Sequence, residues 1–148
     1  MDTGIFFAAF SKNDTHHVEA VGLLECALLG KCGAIYSSDY IFDETVTLAR
    51  VRTHNYEITS KIGDMIKNSS RIRLLRVDED IFNKAWDIFG KYHNKELSFT
   101  DCTSIALVKT QKIDMIFSFD LHFDGILNRI NSIHDLSTGV HPKKRTIN

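Results

Sequence analysis

Proline is nearly absent. The single one, Pro142, stands in a polar stretch near the C-terminus, so no proline-rich linker divides the chain. Cysteine is scarce: Cys26, Cys32 and Cys102 are odd in number and form no Cys-x-x-Cys pair. That excludes a disulfide scaffold and the common zinc frameworks. Three reduced thiols, mostly buried as small hydrophobes, are expected in a cytoplasmic protein. No apolar run approaches the roughly 20 residues of a membrane span, and no charged-then-apolar leader opens the sequence, so no membrane is expected among its partners. An excess of one charge is missing too, since 18 Lys and Arg face 19 Asp and Glu. Global charge therefore does not announce a nucleic-acid binder. Neither a Gly-x-x-x-x-Gly-Lys phosphate loop nor a His-Glu-x-x-His pair occurs.

What remains is the composition of a soluble globule, 43% hydrophobic and 25% charged over 148 residues. That length suits one domain, taken as residues 1–140, with a polar basic tail at 141–148. Charge is locally uneven. Between Arg50 and Arg76 seven basic residues face two acidic ones. This run is either solvated surface or a phosphate-attracting face, with Arg50 and Arg52 as candidate contacts.

Hydrophobic spacing alternates between two periods. A helix after Asp14 or Thr15 carries Val21, Leu24 and Leu28 and ends near Gly30. AIYSS (34–38) suggests a strand, followed by a helix over SDYIFDETVTLARVRT with Ile41, Thr45, Leu48 and Val51 on one stripe. Ile58, Ile62, Met65 and Ile66 mark another helix, and RIRLLRV (71–77) another strand. Asp78, Glu79 and Asp80 open a helix whose inner face is Ile81, Ala85, Ile88 and Tyr92. Trp86 and Tyr92 on it read as core or dimer contacts. A helix capped near Ser98 or Thr100 precedes the strand MIFSF (115–119), and NSIHDL (131–136) is a last strand candidate. Strands alternating with helices imply a three-layer α/β/α domain with a mainly parallel central sheet.

In such sheets functional groups gather beyond the carboxyl ends of strands. Four acids fall at strand ends or near helix starts: Asp2, Glu44, Asp101 and Asp120. A capping role explains Asp101 as readily as a functional one. Converging carboxylates repel unless a cation compensates, and oxygen-only ligands suit Mg2+ or Mn2+ better than zinc. Asp124, four residues on, is a further candidate ligand or a turn cap. His16 and His17 read as surface residues, and His122 as a loop residue next to Asp120.

These residues resemble the PIN-domain family of metal-dependent ribonucleases, best known from VapC-type toxins. Asp2-Thr3 matches an opening Asp-Thr, Glu44 in DETVTLAR an acid on an early helix, and Asp101 in LSFTDCTSIAL an acid starting a late helix. SFDLHF supplies Asp120, with Ser118 matching a hydroxyl two residues before it. The match covers nearly the whole chain. The resemblance implies RNA phosphodiester hydrolysis, with Asp2, Glu44, Asp101 and Asp120 catalytic. Asp2, Asp101 and Asp120, joined by Asp124, would hold Mg2+ or Mn2+, with Thr3 and Ser118 behind them. It implies RNA as substrate, an antitoxin protein as partner, and a homodimer. It also implies several strand residues ahead of the first aspartate, where here only Met1 stands, so either the first strand is truncated or the sheet lacks part of its centre. The rival readings are a phosphoacceptor receiver domain, which lacks its paired acids and lysine here, and a PIN-like binding module without catalysis.

Overall fold

Four helices begin where a side-chain oxygen is available to their first turn. Ser38 accepts from Ile41 N (3.1 Å), Asn55 from Glu57 N and Ile58 N, Asp78 from Ile81 N (2.9 Å), and Ser98 from Asp101 N (3.0 Å). Each satisfies amides that the helix itself leaves without partners. In this computed structural model, which describes residues 1–137, the order is α1 (Thr3–Phe10), α2 (His17–Leu28), β1 (Ile35–Ser38), α3 (Asp39–Thr53), α4 (Tyr56–Asn68) and β2 (Ile72–Leu75). Then follow α5 (Glu79–Lys91), α6 (Phe99–Thr110), β3 (Ile116–Phe117), a 3-10 turn (Leu121–Phe123), β4 (Arg129–Ile130) and α7 (Ile133–Ser137). The proposed tail and the domain end at residue 140 lie outside the described residues.

All strand pairing among these residues is parallel. β1 pairs β2 from Ile35↔Ile72 to Ser38↔Leu75, and β3 pairs β4 at Ile116↔Arg129 and Phe117↔Ile130. Successive strand side chains point to opposite faces, and the core divides accordingly. Phe117 joins Ile5, Phe6, Leu23, Ile62 and Ile66 on one side, while its neighbour Ile116 joins Ile81, Ala85, Ile105 and Phe123 on the other. Helices thus cover both faces of parallel strands, the expected three-layer α/β/α arrangement. Each fully buried Ile or Phe contributes on the order of 1.5–3 kcal/mol.

The centre of the sheet is interrupted. β1–β2 and β3–β4 are separate two-stranded pieces, and the first two residues bond to one strand of each. The Met1 amine donates to Tyr36 O (2.7 Å) and Asp2 N to Phe117 O (3.0 Å). Behind them lies a groove of about 320 Å3 lined by Ala34, Tyr36, Leu107, Met115 and Phe117.

Several expectations need correction. The strand placed at 131–136 is instead α7, because Ser132 Oγ accepts from Asp135 N (3.2 Å) and starts a helical turn; the last strand is Arg129–Ile130. The strand at 115–119 shrinks to two residues. On α3 the buried stripe is Ile41, Thr45 and Ala49, and Val51 is exposed. Trp86 is 62% exposed and so is no core residue. Cys26 and Cys32 are not free thiols: they form a disulfide with Cα atoms 5.7 Å apart. The left-handed turn at Gly30 (φ 71°) folds the chain back after α2 and brings them together. Cys102 is buried and free, as expected. Among the described residues no helix is long and apolar enough to cross a membrane.

Candidate active site

Residues from both ends of the described chain meet at the carboxyl edge of the strands. Asp2 precedes α1 and is almost fully buried because its amide is tied to β3. Its Oδ2 accepts a hydrogen bond from Ser118 Oγ (2.6 Å), and that hydroxyl in turn accepts from Asp120 N (3.0 Å). Thr3, in the first turn of α1, donates from Oγ1 to Glu44 Oε2 on α3 (2.5 Å). Two adjacent residues thereby connect to two distant elements, the end of β3 and α3.

Asp101 stands at the third position of α6. Its Oδ2 accepts from Ser98 N (2.7 Å) while Ser98 Oγ accepts from Asp101 N, a complete capping box. Capping and a functional position coincide in this residue, since its carboxylate is buried and lies within electrostatic reach of Asp2 and Asp120. Asp120 leaves β3 and accepts from His122 N (2.8 Å). The His122 ring Nδ1 is 2.9 Å from the same oxygen but outside hydrogen-bonding geometry, so the contact is electrostatic rather than a proper bond.

The acids perturb one another. Burial pushes the Asp2 carboxyl up to about 6; the Ser118 hydrogen bond opposes this and the charge of Asp101 adds to it. Burial also raises Asp101, against the Ser98 hydrogen bonds and with a contribution from Asp120. Such mutual repulsion is what a cation would relieve.

The donor set is all oxygen and fits a hard divalent ion in chemistry. Its present geometry is less complete. Among the described residues no three Asp, Glu, His or Cys side chains form a group that could hold an ion, and one oxygen of each of the four carboxylates accepts from the protein's own donors.

Asp124 does not join the group. Both its oxygens are taken by Arg129, through Nε (2.7 Å) and Nη2 (3.0 Å), and this pair holds its carboxyl below the usual range. Arg50 and Arg52 lie in the last turn of α3, with Arg52 beside Phe7, Asp14 and Thr53. At 1.5 Å per residue they sit roughly 9–12 Å along the helix from Glu44. Other members of the basic run have partners already: Arg76 faces Asp39 (3.6 Å) and Arg73 lies over the Tyr36 ring.

Two residues went unread in the sequence. Arg129 donates from Nη1 to Ser118 O (3.2 Å) as well as to Asp124, and so braces the loop carrying Asp120. Lys95 Nζ donates to the carbonyls of His122 and Asp124. Nothing local marks either one, because their partners are remote or main-chain. His16 also departs from a simple surface residue, stacking on Phe119 with ring centroids 4.3 Å apart.

Comparison with known proteins places this geometry among relatives. The family model for the PIN domain matches residues 1–126. A protein named VapC ribonuclease from Archaeoglobus fulgidus is 30% identical over 124 residues, covering 83% of this chain and 77% of that one. A 23S rRNA-specific endonuclease, VapC20 of Mycobacterium tuberculosis, is 25% identical over 84% of this chain and 91% of its own. The crystal structure of VapC20, described as a Sarcin-Ricin loop cleaving toxin, superposes with a TM-score of 0.73 and 26% identity, over 82% of this chain and 89% of that one.

Proposed function

The chain belongs to the PIN-domain family, and from that premise we propose that it is a VapC-type toxin ribonuclease that hydrolyses phosphodiester bonds of RNA. Four carboxylates drawn from four elements carry this reading. Asp2, Glu44, Asp101 and Asp120 are linked by Thr3 and Ser118 or by their own electrostatics. A module without catalysis would have no reason to keep buried acids that repel one another.

Asp2, Asp101 and Asp120 would hold Mg2+ or Mn2+, which would supply positive charge to neutralise the phosphate and favour the ionised form of water. Glu44, oriented by Thr3, is the candidate to take a proton from the attacking water. Ser118 sets the distance between Asp2 and Asp120. Asp124, occupied by Arg129, supports the loop rather than the ion. Arg50 and Arg52 would touch RNA phosphates away from the cut. The relatives' names support an antitoxin as partner, and the reading includes a homodimer acting in the cytoplasm.

The test is cleavage of mixed cellular RNAs by purified protein, with and without chelator, beside Asp101→Asn and Asp120→Asn. Cleavage should require added Mn2+ or Mg2+ and disappear in both variants. Millimolar Mn2+ should also stabilise the fold at neutral pH, by about 2.7 kcal/mol at a hundred times Kd, read as a higher Tm, whereas Zn2+ should have no comparable specific effect. Cleavage that continues in the variants or with chelator would overturn the reading.

A further inference from the structure

The carboxyl edge of the strands carries an aromatic corner that the carboxylates do not use. Phe119 stands between Ser118 and Asp120, and its half-buried ring packs on the cluster that holds Ile5, Phe6 and Leu23. It also lies beside Gly4 in the first turn of α1, two residues after Asp2. The ring of His16, an exposed residue, rests flat on Phe119, with centroids 4.3 Å apart and 12° between planes. Consecutive Cα atoms are about 3.8 Å apart, so the His16 ring lies on the order of 12 Å from the Asp120 backbone. With one face of the imidazole against Phe119, what solvent reaches is the opposite face and the ring edge.

The chain holds this ring in place. Residues 11–17 form a run of turns in which Ser11 N donates to Ala8 O, Asp14 N to Ser11 O and His17 N to Asp14 O. Asp14 Oδ1 accepts from His16 N (2.9 Å), and His17 Nδ1 donates to Ala8 O (2.8 Å). His16 precedes α2, yet its side chain makes no capping bond, so helix capping does not account for it. An exposed ring that is already ordered loses little entropy when a second ring is laid on it.

Charge decides which part of an RNA strand suits this corner. Within residues 11–19 Lys12 stands against Asp14 and Glu19, so the segment offers no excess of positive charge to a phosphate. An aromatic face suits a base instead. Unpaired bases of RNA stack on Phe, Tyr, Trp or His, and every base presents a face that can do so.

We propose that His16, stacked on Phe119, is the platform for an unpaired base flanking the phosphate held at the carboxylates. This rests on the ribonuclease reading and adds what sets the strand in register. Phe119 is continuous with Ser118 and Asp120, so a base seated on His16 determines which phosphate reaches the acids.

The experiment uses single-stranded oligoribonucleotides of about ten nucleotides, each carrying 2-aminopurine at a different position. They are titrated with the 148-residue protein in chelator, so that nothing is cut, and binding is read by anisotropy. The fluorescence of 2-aminopurine is quenched when the base stacks. Wild type should quench it, and His16→Ala should remove the quenching and weaken binding by about fivefold or more. Two further variants separate a platform from a mere cover for Phe119. His16→Phe should restore quenching and affinity, while His16→Leu should keep the Tm and restore neither. Quenching that persists in His16→Ala, or that returns with leucine, would overturn the platform. Cleavage of RNA with added Mn2+ is measured beside it. RNA that is cut without any quenching removes the platform alone; quenching that follows the ring in a protein that cuts nothing removes the ribonuclease reading and leaves the platform.

Discussion

Ser118 Oγ donates to Asp2 Oδ2 at 2.6 Å and accepts from Asp120 N at 3.0 Å, so one buried hydroxyl ties together two acids 118 positions apart. Ser118→Ala leaves both groups without that partner at a fully buried position. The cost should be about 1–3 kcal/mol, read as a lower Tm. Cleavage at a temperature where the variant is fully folded should fall further than its Tm suggests. A variant as active as the wild type would show that Ser118 only fills space.

Asp2 gives the protein a characteristic pH response. Its carboxyl is raised from 3.8 to about 6 in the folded state, by burial first. Between these values the folded state binds the proton more tightly than the unfolded state, so stability falls as pH rises from about 4 to 6. The Met1 amine is lowered to about 6 by burial, which acts in the other direction: stability recovers from about 6 towards 8. Metal-free protein should therefore show a stability minimum near pH 6 in thermal melts. Asp2→Asn should remove the Asp2 part of the descending limb, on the order of 2–3 kcal/mol, and leave the part that the raised Asp101 contributes.

Asp101 combines a cap with a charge, and substitution separates the two. Asp101→Asn retains an oxygen for Ser98 N, so metal-free stability should hold or rise as repulsion with Asp2 and Asp120 is removed. Cleavage should be lost. Ser98→Ala should do the reverse, costing about 1 kcal/mol with cleavage retained. Asp124→Asn, which weakens only the Arg129 pair at its exposed carboxylate, should be milder than Asp101→Asn in the cleavage assay.

Arg50 and Arg52 lie on the far end of α3 from the acids. Replacing both by alanine should weaken RNA binding evenly across sequences and reduce the slope of log affinity against log salt by about 1–2. The cleavage rate at saturating RNA should not change. An unaltered salt slope would return both to ordinary solvated surface.

The interrupted sheet offers a mechanical test. The groove between β1 and β3 has Tyr36 and Phe117 in its lining, whose carbonyls accept from the Met1 amine and the Asp2 amide. A short extended segment of Val and Ile joined ahead of Met1 should pair with both strands and fill the groove. Tm should rise by about 4 °C or more, as 1–2 kcal/mol would produce in a chain of this size. A Gly-Ser segment of equal length should give no gain.

The sequence by itself determined the elements with strong period or clear capping: α3 to α6, β1 and β2 all stand where spacing and cap residues put them. It also singled out Asp2, Glu44, Asp101 and Asp120 as candidate site residues, from their places at strand ends or near helix starts. What tertiary structure decided were pairings with no local signature. Strands of two residues carry too little pattern to delimit, and the Ser132 cap turned an alternating segment into a helix. Val51 and Trp86 satisfy helical spacing yet face outward, since periodicity gives a stripe but not what lies against it. The turn at Gly30 joined Cys26 to Cys32, and Arg129 drew Asp124 away from the other acids. Local propensity acts over a few residues; a charge or thiol takes whichever partner the folded chain brings within reach.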